Sequence, residues 1–106
     1  MPLYLWQATY TASGTQGLIK DGGSKRRAAA TKAAESLGGR LESMYYAFGD
    51  TDAFVVADMP DHASVVAITL ALAASGGTTA RTTVLLTPEE MDQAARKTPA
   101  YKPPGQ

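Results

Sequence analysis

An α+β fold built on a four-stranded antiparallel sheet is what this 106-residue chain predicts. Three observations lead there. Residues 42–60, ESMYYAFGDTDAFVVADMP, hold two apolar strands folded back on each other at Gly49-Asp50-Thr51-Asp52. Two segments of helical character, each closed by a Gly-Gly pair, flank that hairpin. A strand pattern opens the chain and another follows the second helix, so the elements run β-α-β and then β-α-β.

Residues 3–11 place Leu3, Leu5, Gln7 and Thr9 on one face and Tyr4, Trp6, Ala8 and Tyr10 on the other, a first strand whose second set is the more aromatic. Residues 12–23 are rich in Gly, Ser and Thr around Gln16-Gly17-Leu18-Ile19-Lys20, which predicts a loop with room for one helical turn. Ser24 is the expected cap of the first long helix. It runs to about Leu37, with Ala30, Ala33, Ala34 and Leu37 at i, i+3, i+4 and i+7. This stripe is thin and mostly alanine, so the helix is expected to lie close to the sheet.

Residues 40–48 and 52–58 are the second and third strands. In the third, both alternating sets, Ala53/Val55/Ala57 and Phe54/Val56, are apolar, so both of its faces are expected to be covered. Asp61 caps a second helix that runs to about Ala74 and ends at Ser75-Gly76-Gly77. No Asp, Glu, Lys or Arg lies between Asp61 and Arg81. A helix apolar nearly all round is normally buried on more than one side, and a partner subunit is the natural cover for Val65, Val66, Ile68, Leu70 and Leu72.

Residues 78–86 form the fourth strand. Thr87-Pro88-Glu89-Glu90 is a capping box with proline at the first helical position, opening a short extra C-terminal helix that reaches Arg96. Residues 97–106, with Pro99, Pro103 and Pro104, neither continue a helix nor lie in a central strand. The expected organisation is one domain over residues 1–96 followed by a Pro-rich tail, and the order βαββαβ is the ferredoxin-like one.

Composition narrows the chemistry. Ten basic residues balance ten acidic ones, so no net field draws the chain to nucleic acid or to an anionic membrane. There is no cysteine and only one histidine, which removes disulfides, thiolate catalysis and a structural zinc site; no metal and no cofactor are expected. The longest uncharged run, residues 63–80, is broken by serines, threonines and Gly76-Gly77, short of the ~20 apolar residues of a membrane span. Residues 1–5 carry a strand pattern rather than the basic start of an export signal, so a soluble cytoplasmic protein is expected.

The residues left to carry a function are few. Lys25-Arg26-Arg27 stands in the first turn of the first long helix, where the macrodipole disfavours each cation by a few tenths to ~1 kcal/mol. Together with Lys20 and the Gly22-Gly23-Ser24 amides, Arg26 and Arg27 form a candidate site for a carboxylate or phosphate; the alternative is a solvated basic turn paired with Asp21. His62, the one residue of a type whose unperturbed pKa lies near neutrality, is a candidate general acid or base at a pocket mouth, against an exposed first-turn residue. Trp6, Tyr10, Tyr45, Tyr46 and Phe48 concentrate aromatic surface on the first two strands and suit either a small-molecule pocket or core packing, Tyr45 and Tyr46 pointing opposite ways. Arg81 is expected to pair with Asp58 or Asp52, or else to bind a substrate carboxylate. No catalytic triad order, paired-carboxylate motif or phosphate loop is present.

Gln16-Gly17-Leu18-Ile19-Lys20, Gly38-Gly39-Arg40-Leu41, the run from Tyr45 to Asp52, Met59-Pro60-Asp61 and Leu85-Leu86-Thr87-Pro88-Glu89-Glu90 together resemble the GYD-domain family, within the dimeric α/β-barrel superfamily. The name motif falls on Gly49, Asp50, Thr51 and Asp52, with Thr51 where the family has tyrosine. The resemblance implies a ferredoxin-like protomer whose open sheet face packs on that of a partner to make a barrel. Its wider superfamily includes cofactor-free monooxygenases, isomerases and stress-responsive binding proteins. The expected function is a small homo-oligomeric protein holding a small organic or anionic molecule in a barrel or sheet-helix pocket, through Trp6, Lys20, Arg26 and Arg27. Two alternatives stand beside it: a cofactor-free isomerase, cyclase or monooxygenase using Tyr10, Tyr46, His62 or Arg81, and a purely structural oligomer.

Overall fold

The computed structural model describes residues 1–47 and 49–106. Its elements are β1 (Leu3–Tyr10), α1 (Ala12–Asp21), α2 (Gly23–Ser36), β2 (Arg40–Tyr46), β3 (Ala53–Asp58), α3 (His62–Ser75), β4 (Thr78–Leu85) and α4 (Pro88–Arg96). The four strands form one antiparallel sheet in the order β2-β3-β1-β4, the ferredoxin-like arrangement with the extra C-terminal helix. Phe48, expected at the end of the second strand and in its aromatic cluster, lies outside the described residues.

Strand alternation assigns the faces. Tyr4, Trp6 and Ala8 of β1 stand opposite Ala57, Val55 and Ala53 of β3 and beside Val84, Thr82 and Ala80 of β4. Leu41, Met44 and Tyr46 of β2 join the same face, after a register shift between Leu41 and Ser43. This face carries the core: Tyr4, Trp6, Ala57 and Met59 are buried against Ala34 of α2 and Val65 of α3. The other face, with Leu3, Leu5, Phe54 and Val56, is half-buried, and among the described residues the helices that pack on the sheet, α2 and α3, lie on the core side. Helix α3 likewise turns Val65 inward while Val66 and Leu70 stay exposed.

Residues 12–21 correct the expected loop: they are a ten-residue helix. Thr11 caps it, accepting from the Gly14 amide, and the Thr11 hydroxyl also donates 2.8 Å to the Gly76 carbonyl. Gly14 lies so close to Gly77 that a Cβ there would overlap the Gly77 carbonyl. A side-chain-free residue that sequence inspection assigns to a loop is here a helical contact point.

The boundary corrections are smaller. The N-cap of α2 is Gly22 without a side-chain cap, not Ser24, which lies inside the helix. Strand β3 starts at Ala53, because the Asp52 amide and carboxylate are turned onto β1, at the Ala8 carbonyl and the Tyr10 amide, each at 2.9 Å. Strand β4 stops at Leu85. The Asp61 cap of α3 forms as expected; the Ser64 amide donates to its carboxyl at 2.7 Å and holds it below the usual carboxylate range. Gly76 closes α3 in the left-handed conformation, φ 74°. The Thr87–Glu90 capping box is present in full.

Candidate functional site

Helix α2 packs over β2 and α3 over β4, so the central strands β1 and β3 floor a space between the two helices. Small side chains line that space on both sides: Ala8, Ala53 and Ala57 from the sheet, and Ala29, Ala30, Ala33 and Ala34 from α2. The alanine stripe brings α2 onto the sheet at Ala34, as expected, and beside that contact it leaves a cavity of about 140 Å³. An apolar void of about 150 Å³ is known to take a benzene-sized guest.

The cavity is polarised along its length. Its middle is apolar, walled by Trp6, Met44, Val55, Ile68 and Leu72. The Trp6 indole N–H is already used, donating 3.0 Å to the Thr69 hydroxyl. That hydroxyl is fixed in turn by the Val65 carbonyl at 3.2 Å and the Thr82 hydroxyl at 2.9 Å. Trp6 therefore offers the cavity a ring and no free donor. Tyr10, Arg26 and Thr78 provide the polar lining, and the cross-strand pairing of Tyr10 with Thr78 puts both at one end of the sheet. Arg26 lies 3.8 Å from Asp21, a loose and part-exposed ion pair that leaves most of the guanidinium fork for another acceptor.

Tyr46 stands beside this end. Its phenol is pushed up to about 12, first by partial burial, then by the Tyr10 hydroxyl, with the Arg26 charge pulling the other way. The folded-state value lies above the unfolded value of about 10, so protonated Tyr46 supports the fold fully below pH ~10, and this support is lost as pH rises from there toward 12. In a phenolate absorbance titration, one of the five tyrosines is expected to ionise near pH 12, and Tyr46→Phe to remove that late step. A Tyr46→Phe curve that keeps it would assign it elsewhere.

The candidates from the sequence divide by location. Trp6, Tyr10 and Arg26 line the cavity, and Tyr46 adjoins it through a cleft that shares Tyr10. Arg27 faces a separate hollow with Ser24, Tyr45 and Tyr46, and Lys20 is exposed in the last turn of α1, so the three cations do not converge on one anion site. His62 is committed elsewhere: its Nδ1 is 2.7 Å from the hydroxyl of buried Tyr4, with the two rings edge to face. Arg81 lies on the open sheet face near Gln7, Thr9 and Thr51. Its expected pairing with Asp58 or Asp52 is replaced by Arg40–Asp58 at 3.1 Å and by Asp52 on the Tyr10 amide. Met44, Ile68, Leu72 and Thr78 also line the cavity; in the sequence Ile68 and Leu72 are marked only as part of the uncharged α3, and Met44 and Thr78 only as strand residues. Among the described residues, no group of three His, Asp or Glu side chains gathers to hold a metal, and no helix is long and apolar enough to cross a membrane.

Sheet order, helix placement and the cavity between the layers define a ferredoxin-like α+β domain with a small interlayer site. The sequence matches the family model of the GYD domain over residues 4–95, and the chain belongs to the GYD-domain family. No curated protein and no solved structure matches it significantly.

Proposed function

We propose that this protein is a small homo-oligomeric binding protein that holds one small organic molecule between its sheet and its helix layer. The observation that carries the reading is the cavity of about 140 Å³, apolar in the middle and polar at one end. A guest that fills this pocket removes its apolar lining from water, and its binding stabilises the fold. Association is supported by the half-buried apolar sheet face and by the exposed Val66 and Leu70 of α3. Enzymatic chemistry has less behind it, since Tyr46 holds its proton far above neutrality and His62 is bound to Tyr4. The cavity itself speaks against a purely structural role.

Native mass spectrometry tests both parts. The expected result is at least a dimer that retains a small organic mass, while Ala30→Leu, which fills the space from α2, loses that mass and melts about 4–8 °C higher, equivalent to about 1 kcal/mol. A monomer would remove the oligomer. A parent protein that retains nothing and binds no ring-sized probe would remove the site.

A further inference from the structure

Resting on that binding reading, we infer the class of guest: a monocarboxylate with a single ring, its ring against Trp6 and its carboxylate at Arg26. Size sets the first limit. A cavity of about 140 Å³ matches the void of about 150 Å³ that takes benzene, so a single ring fills its apolar middle. Polarity sets the second. With the indole N–H of Trp6 held by Thr69, the described residues offer no free strong donor or acceptor along the middle, so that part of the guest must be apolar.

Charge sets the third limit. Among the described residues Arg26 is the one charged side chain lining the cavity, and a planar guanidinium accommodates a carboxylate through two parallel hydrogen bonds. Its own carboxylate neighbour, Asp21, is 3.8 Å away and does not line the space. Asp52 lines the adjoining cleft rather than the cavity, with one oxygen accepting from the Tyr10 amide at 2.9 Å. Among the described residues no carboxylate lines the cavity itself, so a cationic guest would meet the guanidinium there without a counter-charge in contact. The Tyr10 and Thr78 hydroxyls at the same end complete the surroundings of an anionic head group.

Titration calorimetry on the full-length chain at constant ionic strength, with benzoate, toluene, benzylamine and acetate as probes, tests this. Benzoate is expected to bind at least tenfold more tightly than toluene, and more tightly than benzylamine or acetate. Arg26→Gln should weaken benzoate by at least tenfold and leave toluene within about twofold. Arg26→Lys, which keeps the charge without the fork, should fall between. Ala30→Leu should abolish the binding of every ring probe. Benzoate and toluene binding equally, or benzoate unaffected by both Arg26 variants, would overturn the carboxylate assignment and leave the cavity reading standing. Acetate binding as tightly as benzoate would overturn the ring. If no ring probe binds the parent, the binding reading fails together with this one.

Discussion

Gly14→Ala is expected to destabilise this protein by about 2 kcal/mol or more, whereas Gly17→Ala in the same helix should stabilise it by about 0.5–1 kcal/mol. Helix propensity alone gives both substitutions the same favourable sign, because alanine loses less backbone entropy than glycine. The surroundings separate them. A Cβ at Gly17 meets nothing within 4 Å, while one at Gly14 runs into the carbonyl of Gly77. That carbonyl has little room to retreat: it accepts from the Thr11 amide at 3.0 Å, and the Thr11 side chain holds neighbouring Gly76 at 2.8 Å. The overlap falls on backbone, which cannot swing aside as a flexible side chain would. Thermal melts of the two variants should differ by at least about 10 °C. A Gly14→Ala protein melting with or above the parent would show that α1 does not lie against the start of β4.

Trp6→Ala is expected to cost about 3–5 kcal/mol, a large share of the 5–15 kcal/mol typical of a domain. Trp6 is only 3% exposed, packs against Tyr4 with ring centroids 6.4 Å apart, and ties β1 to α3 through Thr69. Its removal also merges its own volume with the existing cavity, so surrounding groups have little to collapse onto. Trp6→Phe separates packing from hydrogen bonding. It should cost about 1–2 kcal/mol, because the Thr69 hydroxyl keeps Val65 and Thr82 as partners. Urea unfolding of both variants gives the comparison, and equal losses would mean that the hydrogen bond matters more than the ring.

The two cases mark where sequence reasoning succeeds. The face carrying Tyr4, Trp6, Ala8 and Tyr10 is legible because strand alternation is a local, period-two property. The Asp61 cap, the Gly76 stop and the Thr87–Glu90 capping box are legible for the same reason: each is completed within a few residues by side chains that satisfy nearby backbone groups. Helix α1 was not legible. Gly14 and Gly17 lower its propensity, and the compensation comes from Gly76 and Gly77, more than sixty residues away, through Thr11.

For the site, the sequence alone determined the ingredients: an aromatic β1, an alanine-striped α2, an uncharged α3 and a cationic turn at Arg26 and Arg27. Tertiary structure decided what they make. An alanine stripe permits either close approach or a void, and the choice belongs to the neighbours: α2 sits over β2, α3 is held over β4 by the Trp6–Thr69–Thr82 chain, and a gap opens between them. Arg26 and Arg27 are adjacent in sequence, yet the helical step of about 100° sends one to the cavity and the other to a separate hollow. His62 carries no sequence sign of its partner, because Tyr4 lies fifty-eight residues earlier and meets it only when α3 docks on β1. Local pattern writes the elements, their caps and their faces; the distances between faces, and therefore whether a cavity exists and which charge borders it, come from packing.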